Sequence, residues 1–192
     1  MSKVSAAAAK ALPFNRVALL NFSQNFFEIF QIDVVFDLDA AELSARYQAL
    51  QRRVHPDRFA GQGDQAERLA TQWATQVNEA YATLSEPLAR ASYLLDLQGI
   101  VLAQNPTLDP AFLFEQIELR ETLDDIRQEE SLTRAEAFLQ VLAEKQDSEA
   151  RAFNDFFKAT ALTEATTCVY RMQFLSKLSQ GAKALEEELL GY

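Results

Sequence analysis

Leu43, Tyr47, Leu50 and Val54 fall at intervals of four, three and four residues. At ~100° per residue they form one apolar stripe within about 60°. The spacing predicts a helix of about 15 residues, roughly 22 Å long. Asp39 followed by Glu42 reads as a capping-box start, and Pro56 ends the helix by pushing the preceding residue out of the α region. Ala66, Leu69, Trp73, Val77, Ala80 and Leu84 keep a 3-4 spacing from near Asp64, which predicts an antiparallel partner helix. Ser85-Glu86-Pro87 stops that helix and starts another that runs to about Leu97, with Gly99 as terminator. Upstream, Phe26, Phe27, Ile29 and Phe30 are too apolar for a lone exposed turn, so the short helix over 25–30 is expected to dock on its neighbours. Val34-Val35-Phe36 is β-prone but short, and is read as a loop anchored in the core.

The polar, Pro-containing stretch 103–110 is the expected domain boundary. Three longer helical patterns follow, starting at Asp109-Pro110, at Ser131, and at Thr163 with Glu164 in the first turn. The chain holds only 5 Gly and 5 Pro, so breakers are rare, and no convincing strand pattern appears. The expectation is all-α.

Composition and charge narrow the function. The formal net charge is −10, distributed as +3 over residues 1–24, −5 over 25–103 and −8 over 104–192. No basic footprint for nucleic acid is visible. One Cys (Cys168) and one His (His55) rule out a disulfide framework and argue against a metal site; no cofactor is expected. No apolar run approaches the ~20 residues that span a bilayer. Residues 1–24 carry Lys3, Lys10 and Arg16 and no acid. That composition fits a transit peptide, and equally a disordered tail or a start codon placed early; a disordered extension is the expectation.

His55-Pro56-Asp57 lies between the two amphipathic helices, followed by a loop with Gly61 and Gly63. The tripeptide therefore sits at the tip of a helical hairpin. Pro56 fixes the backbone, Asp57 can accept from turn amides or pair with a partner's cation, and His55 can donate or accept at neutral pH. Arg46, Arg52, Arg53 and Arg58 add positive charge around the tip of an otherwise acidic chain, which favours docking on an acidic partner. A catalytic dyad of His55 and Asp57 lacks a nucleophile or glycine-rich pocket nearby, so no enzymatic activity is expected.

These segments resemble a J-domain: Phe26–Phe30, Leu43–Leu50, His55-Pro56-Asp57-Arg58-Phe59 and Val77–Pro87. Arg90–Leu95, Phe112–Glu121 and Phe174–Leu178 narrow the resemblance to the HscB family of iron–sulfur co-chaperones. The resemblance implies a J-domain over 25–102 and a C-terminal three-helix bundle over 109–192. It implies two partners, an HscA/DnaK-type chaperone whose ATPase is stimulated and an IscU-type iron–sulfur scaffold. The cysteine-rich N-terminal module of animal mitochondrial relatives is missing here, so a bacterial cytoplasmic location is expected ahead of the mitochondrial matrix.

The helix over 110–127 makes one further point. Phe112, Leu119, Leu123 and Ile126 form its core stripe, while Leu113, Phe114 and Ile117 point roughly 100–200° away. Glu118, Glu121 and Asp125 share that outer side. An apolar patch rimmed by acids opposite the core is a partner-binding signature, and the resemblance assigns it to scaffold binding. The rival arrangement is a bundle that buries both sides of the helix. Phe174 matches the family motif too, but lies about 70° off its own helix's stripe and fits either reading. The rival functions are a general J-protein serving other clients and a helical assembly protein with no chaperone partner.

Overall fold

The computed structural model describes residues 23–61, 63–104 and 106–191. Asn25 opens the first helix, α1 (Phe26–Phe30), with a reciprocal capping box: its Oδ1 accepts from the Glu28 N–H at 2.9 Å, and Glu28 Oε2 accepts from the Asn25 N–H at 2.9 Å. α2 (Ala40–Val54) starts differently from the sequence expectation. Asp39 caps it, accepting from the Ala41 and Glu42 amides at 2.8 and 3.0 Å. Glu42, however, turns forward to Arg46 at 2.6 Å rather than back to the cap. The charge-assisted pair one turn ahead competes with the amide behind it. A side-chain cap of this kind stabilises by about 1 kcal/mol.

A single turn of 3-10 helix over Pro56–Phe59 leads to α3 (Asp64–Ser85), and Pro87 at its first turn starts α4 (Pro87–Leu97). Gly99 at φ +76 provides the left-handed turn that ends it. α2 and α3 form the antiparallel hairpin. Leu43, Leu50 and Val54 bury against Ala70, Val77, Ala80 and Leu84, and Tyr47 and Tyr81 stack at 4.0 Å. α1 docks as expected: Phe27 and Phe30 are fully buried, and the Phe26 amide donates to Tyr93 Oη at 2.9 Å. In the 34–36 segment Phe36 is the anchor, while Val34 faces outward.

α5 (Pro110–Gln128), α6 (Leu132–Lys158) and α7 (Leu162–Leu190) follow, with Asp109 and Ser131 capping the first two. α7 begins one residue before the expected Thr163. α6 and α7 pack along their length, whereas α5 meets each of them lightly. Among the described residues there is no strand, and the protein is all-α.

The buried residues do not divide at 103–110. Phe153 of α6 and Ala165, Cys168 and Val169 of α7 belong to the same core as Phe27, Leu43, Val77 and Leu94. Phe36 and Phe153 meet with ring centroids 4.8 Å apart. A second core, built on Leu119, Ile126, Leu142 and Leu178, fills the far half of the bundle. The base of the α6–α7 pair is thus packed into the α1–α4 unit.

Candidate partner-binding surfaces

The tip of the hairpin is built by local hydrogen bonds. α2 ends at Val54, and His55 leaves the helix at φ −57, ψ 126. Pro56 then opens the 3-10 turn, with the Arg58 amide donating to the His55 carbonyl at 3.0 Å. The Asp57 amide donates to His55 Nδ1 at 3.3 Å. An accepting Nδ1 puts the proton of the neutral ring on Nε2. Asp57 Oδ2 lies 3.6 Å from the same Nδ1, and the two side chains are 89% and 53% exposed. The tip therefore offers an imidazole donor and a carboxylate to a partner, on a backbone that is already bonded.

The four arginines do not share one position. Arg52 and Arg58 are exposed at the tip, and Arg58 donates back to the Arg52 carbonyl at 3.2 Å, covering the end of α2. Arg53 is half-buried. Arg46 lies more than two turns away from His55 and works inside the fold. Its guanidinium donates to the Phe30 carbonyl at 2.8 Å and the Gln31 carbonyl at 2.6 Å, stapling the end of α1 to α2. Those carbonyls are orphans of a helix terminus that needs a donor. Spacing along α2 gives no sign of this contact, because its acceptors lie 15 and 16 residues away.

The second surface is on α5. Phe112, Leu119, Leu123 and Ile126 are at most 8% exposed, while Leu113, Phe114 and Ile117 are 46%, 68% and 50% exposed. The bundle does not bury both sides of this helix. Glu118, Glu121 and Asp125 are exposed around the patch. Phe174 of α7 is half-buried at its edge: its ring meets Phe112 edge-on at 5.7 Å, and the Arg120 guanidinium lies 5.3 Å above it. Glu115 points the other way and pairs with Lys145 of α6 at 2.5 Å.

Cys168 is buried, and burial together with the Glu149 carboxylate pushes its thiol up to about 12, so no thiolate is present at neutral pH. No cluster of three or more His, Cys, Asp or Glu among the described residues could hold a metal ion. No described helix is long and apolar enough to cross a membrane. A shallow open groove on the first turns of α3 is lined by Asp64, Glu67, Arg68, Thr71 and Gln72.

Residues 108–183 match the model of the HSCB C-terminal oligomerisation domain. The chain is 35% identical over 173 residues to a Co-chaperone protein HscB homolog of Burkholderia multivorans, covering 89% of this chain and 99% of that one. The chain belongs to the HscB co-chaperone family. Two solved HscB structures share its fold. Chaperone HscB from Vibrio cholerae has a TM-score of 0.76 at 35% identity, covering 86% of this chain and 99% of its own. Human co-chaperone protein HscB has a TM-score of 0.81 at 30% identity, covering 85% and 83%. HscB membership supports a co-chaperone role in iron–sulfur cluster assembly.

Proposed function

We propose that this HscB-family chain is a two-partner adaptor with no catalytic chemistry of its own. Its hairpin tip docks on an HscA-type chaperone of the DnaK class and stimulates ATP hydrolysis, through His55, Pro56 and Asp57 with Arg52, Arg53 and Arg58, while Arg46 serves the tip only by holding α1 against α2. The outer face of α5 binds an IscU-type iron–sulfur scaffold, through Leu113, Phe114, Ile117, Glu118, Glu121, Asp125 and Phe174. The functional units are 25–102 and 109–192, and the setting is the bacterial cytoplasm.

The observation that carries this reading is the presence of two separate exposed surfaces on one packed frame: a carboxylate 89% exposed at a bonded tip, and three large apolar side chains about half exposed or more on a helix whose other side is buried. The first suits a charged, orienting contact. The second suits an apolar anchor inside a polar rim. An adaptor of this kind acts by differential binding. It favours the chaperone conformation that hydrolyses ATP, and it raises the local concentration of scaffold at that chaperone.

The scaffold half is tested by titration calorimetry with Leu113→Ala/Ile117→Ala. Both residues are exposed, so the fold should lose less than about 0.5 kcal/mol. Removing two apolar anchors from the centre of an interface should weaken scaffold binding by ~30-fold, or about 2 kcal/mol. Unchanged affinity in a folded double variant would remove the scaffold from this surface and favour a J-protein for other clients.

A further inference from the structure

We propose that Arg171 of α7 is a positioning residue for the scaffold-binding face of α5, acting through Asp109 and Phe112 rather than touching the partner. The proposal rests on the reading of that face given above.

The Arg171 guanidinium ties three elements together. One Nη donates to Asp109 Oδ2 at 2.9 Å and the other to Glu149 Oε1 on α6 at 3.3 Å. Its Cζ lies over the Phe112 ring, 5.0 Å from the centroid. Asp109 is used twice: Oδ2 holds Arg171 while Oδ1 accepts from the Phe112 amide at 3.0 Å and so starts the helix. The Phe112 amide and then Arg171 hold the Asp109 carboxyl below its ordinary range. Phe112 in turn meets Phe174. The next residue along from this anchored ring is Leu113, the first apolar residue of the exposed face.

The place matters because α5 is lightly held. It packs less extensively on α6 and α7 than these do on each other. The chain reaches it through residues 100–109, which carry no helix or strand among those described and include Val101 at 88% exposure. Two neighbouring α7 side chains fix this approach. Tyr170 Oη accepts from the Ala103 amide at 2.7 Å, and Arg171 takes Asp109. Of these two side chains, Arg171 is the one that reaches the cap, the α6 carboxylate and the ring beneath the face. A planar fork is suited to this, since a lysine presents a single point charge. Loss of the clamp frees the first turn of α5, and with it the angle at which Leu113, Phe114 and Ile117 are offered.

The test uses the full chain in a scaffold titration of chaperone ATPase, with Arg171→Met, Asp109→Asn and Leu113→Ala. Asn keeps the helix cap but turns an NH2 group towards Arg171. For the two clamp variants, the scaffold concentration giving half-maximal rate should rise ~tenfold. The plateau at saturating scaffold should stay unchanged, and amide exchange should quicken over 112–118 but not over α2. The assignment is overturned if the half-maximal concentration stays within about twofold in both variants, or if the plateau falls and exchange quickens throughout the chain, which is general loosening. Leu113→Ala separates the two levels. If it weakens scaffold engagement while the clamp variants do not, Arg171 alone is misassigned; if it has no effect, the reading of the face fails and the role of Arg171 fails with it.

Discussion

Asp57→Asn should abolish stimulation of the chaperone ATPase, a loss of at least tenfold, while scaffold binding and the unfolding midpoint stay as they are. The substitution is nearly isosteric; it removes the charge and replaces one acceptor oxygen with an NH2 donor. The Asp57 amide keeps its bond to His55 Nδ1, and the Arg58 amide keeps the His55 carbonyl, so the turn persists. The carboxylate is 89% exposed and carries little of the fold's stability. What it loses is a charged contact with a partner. Truncating one member of a desolvated interfacial pair costs about 2–5 kcal/mol, roughly thirtyfold at the low end, so a tenfold loss, about 1.4 kcal/mol, is a floor that the expected effect exceeds. Steady-state ATP hydrolysis at fixed chaperone concentration checks it. Full stimulation by the Asn variant would mean that the tip does not act through its carboxylate.

Phe153→Ala should destabilise the whole chain by about 3–5 kcal/mol, the cost of an aromatic cavity in a packed core. Phe153 is fully buried between Phe36, at 4.8 Å, and Phe157, at 5.6 Å. It belongs to α6, yet it fills the core that α1–α4 enclose. The loss should therefore appear in both halves at once. Urea unfolding followed by the fluorescence of the single Trp, Trp73 on α3, and by helical circular dichroism should give coincident curves that shift together. Two separated transitions, with only one of them moved, would show that the cores unfold independently. Phe114→Ala is the contrast: the same side chain at 68% exposure leaves little cavity behind.

The contrast between Phe153 and Phe114 also marks what the sequence could disclose. Periodicity tells which face of a helix is apolar, and it separated Phe112, Leu119 and Ile126 from Leu113, Phe114 and Ile117 because 100° per residue fixes those directions. Breakers fixed the ends: Pro56, Pro87 and Pro110 stand where the helices stop or start. Periodicity does not tell which element a face will meet. Phe153 reads as one more apolar position of a long bundle helix, and nothing local announces that it packs on Phe36, 117 residues earlier. The same holds for Arg46. On α2 it reads as surface charge near the tip, and only the arrival of the α1 terminus makes it a staple. Glu42 shows a nearer failure: cap spacing was met, but Arg46 four residues on offered a stronger partner. Phe174, off-centre on its stripe, fitted core or surface and proves to lie at the edge between them. The disordered extension expected for 1–24 falls almost wholly outside the described residues.

The most direct test of the two-partner adaptor is ATP hydrolysis by an HscA-type chaperone with this chain and an IscU-type scaffold, added singly and together. Two surfaces on one frame predict a rate with both that exceeds the sum of the separate stimulations, because the adaptor delivers scaffold to the chaperone it is stimulating. Rates that merely add, or no stimulation by the chain at all, would contradict it.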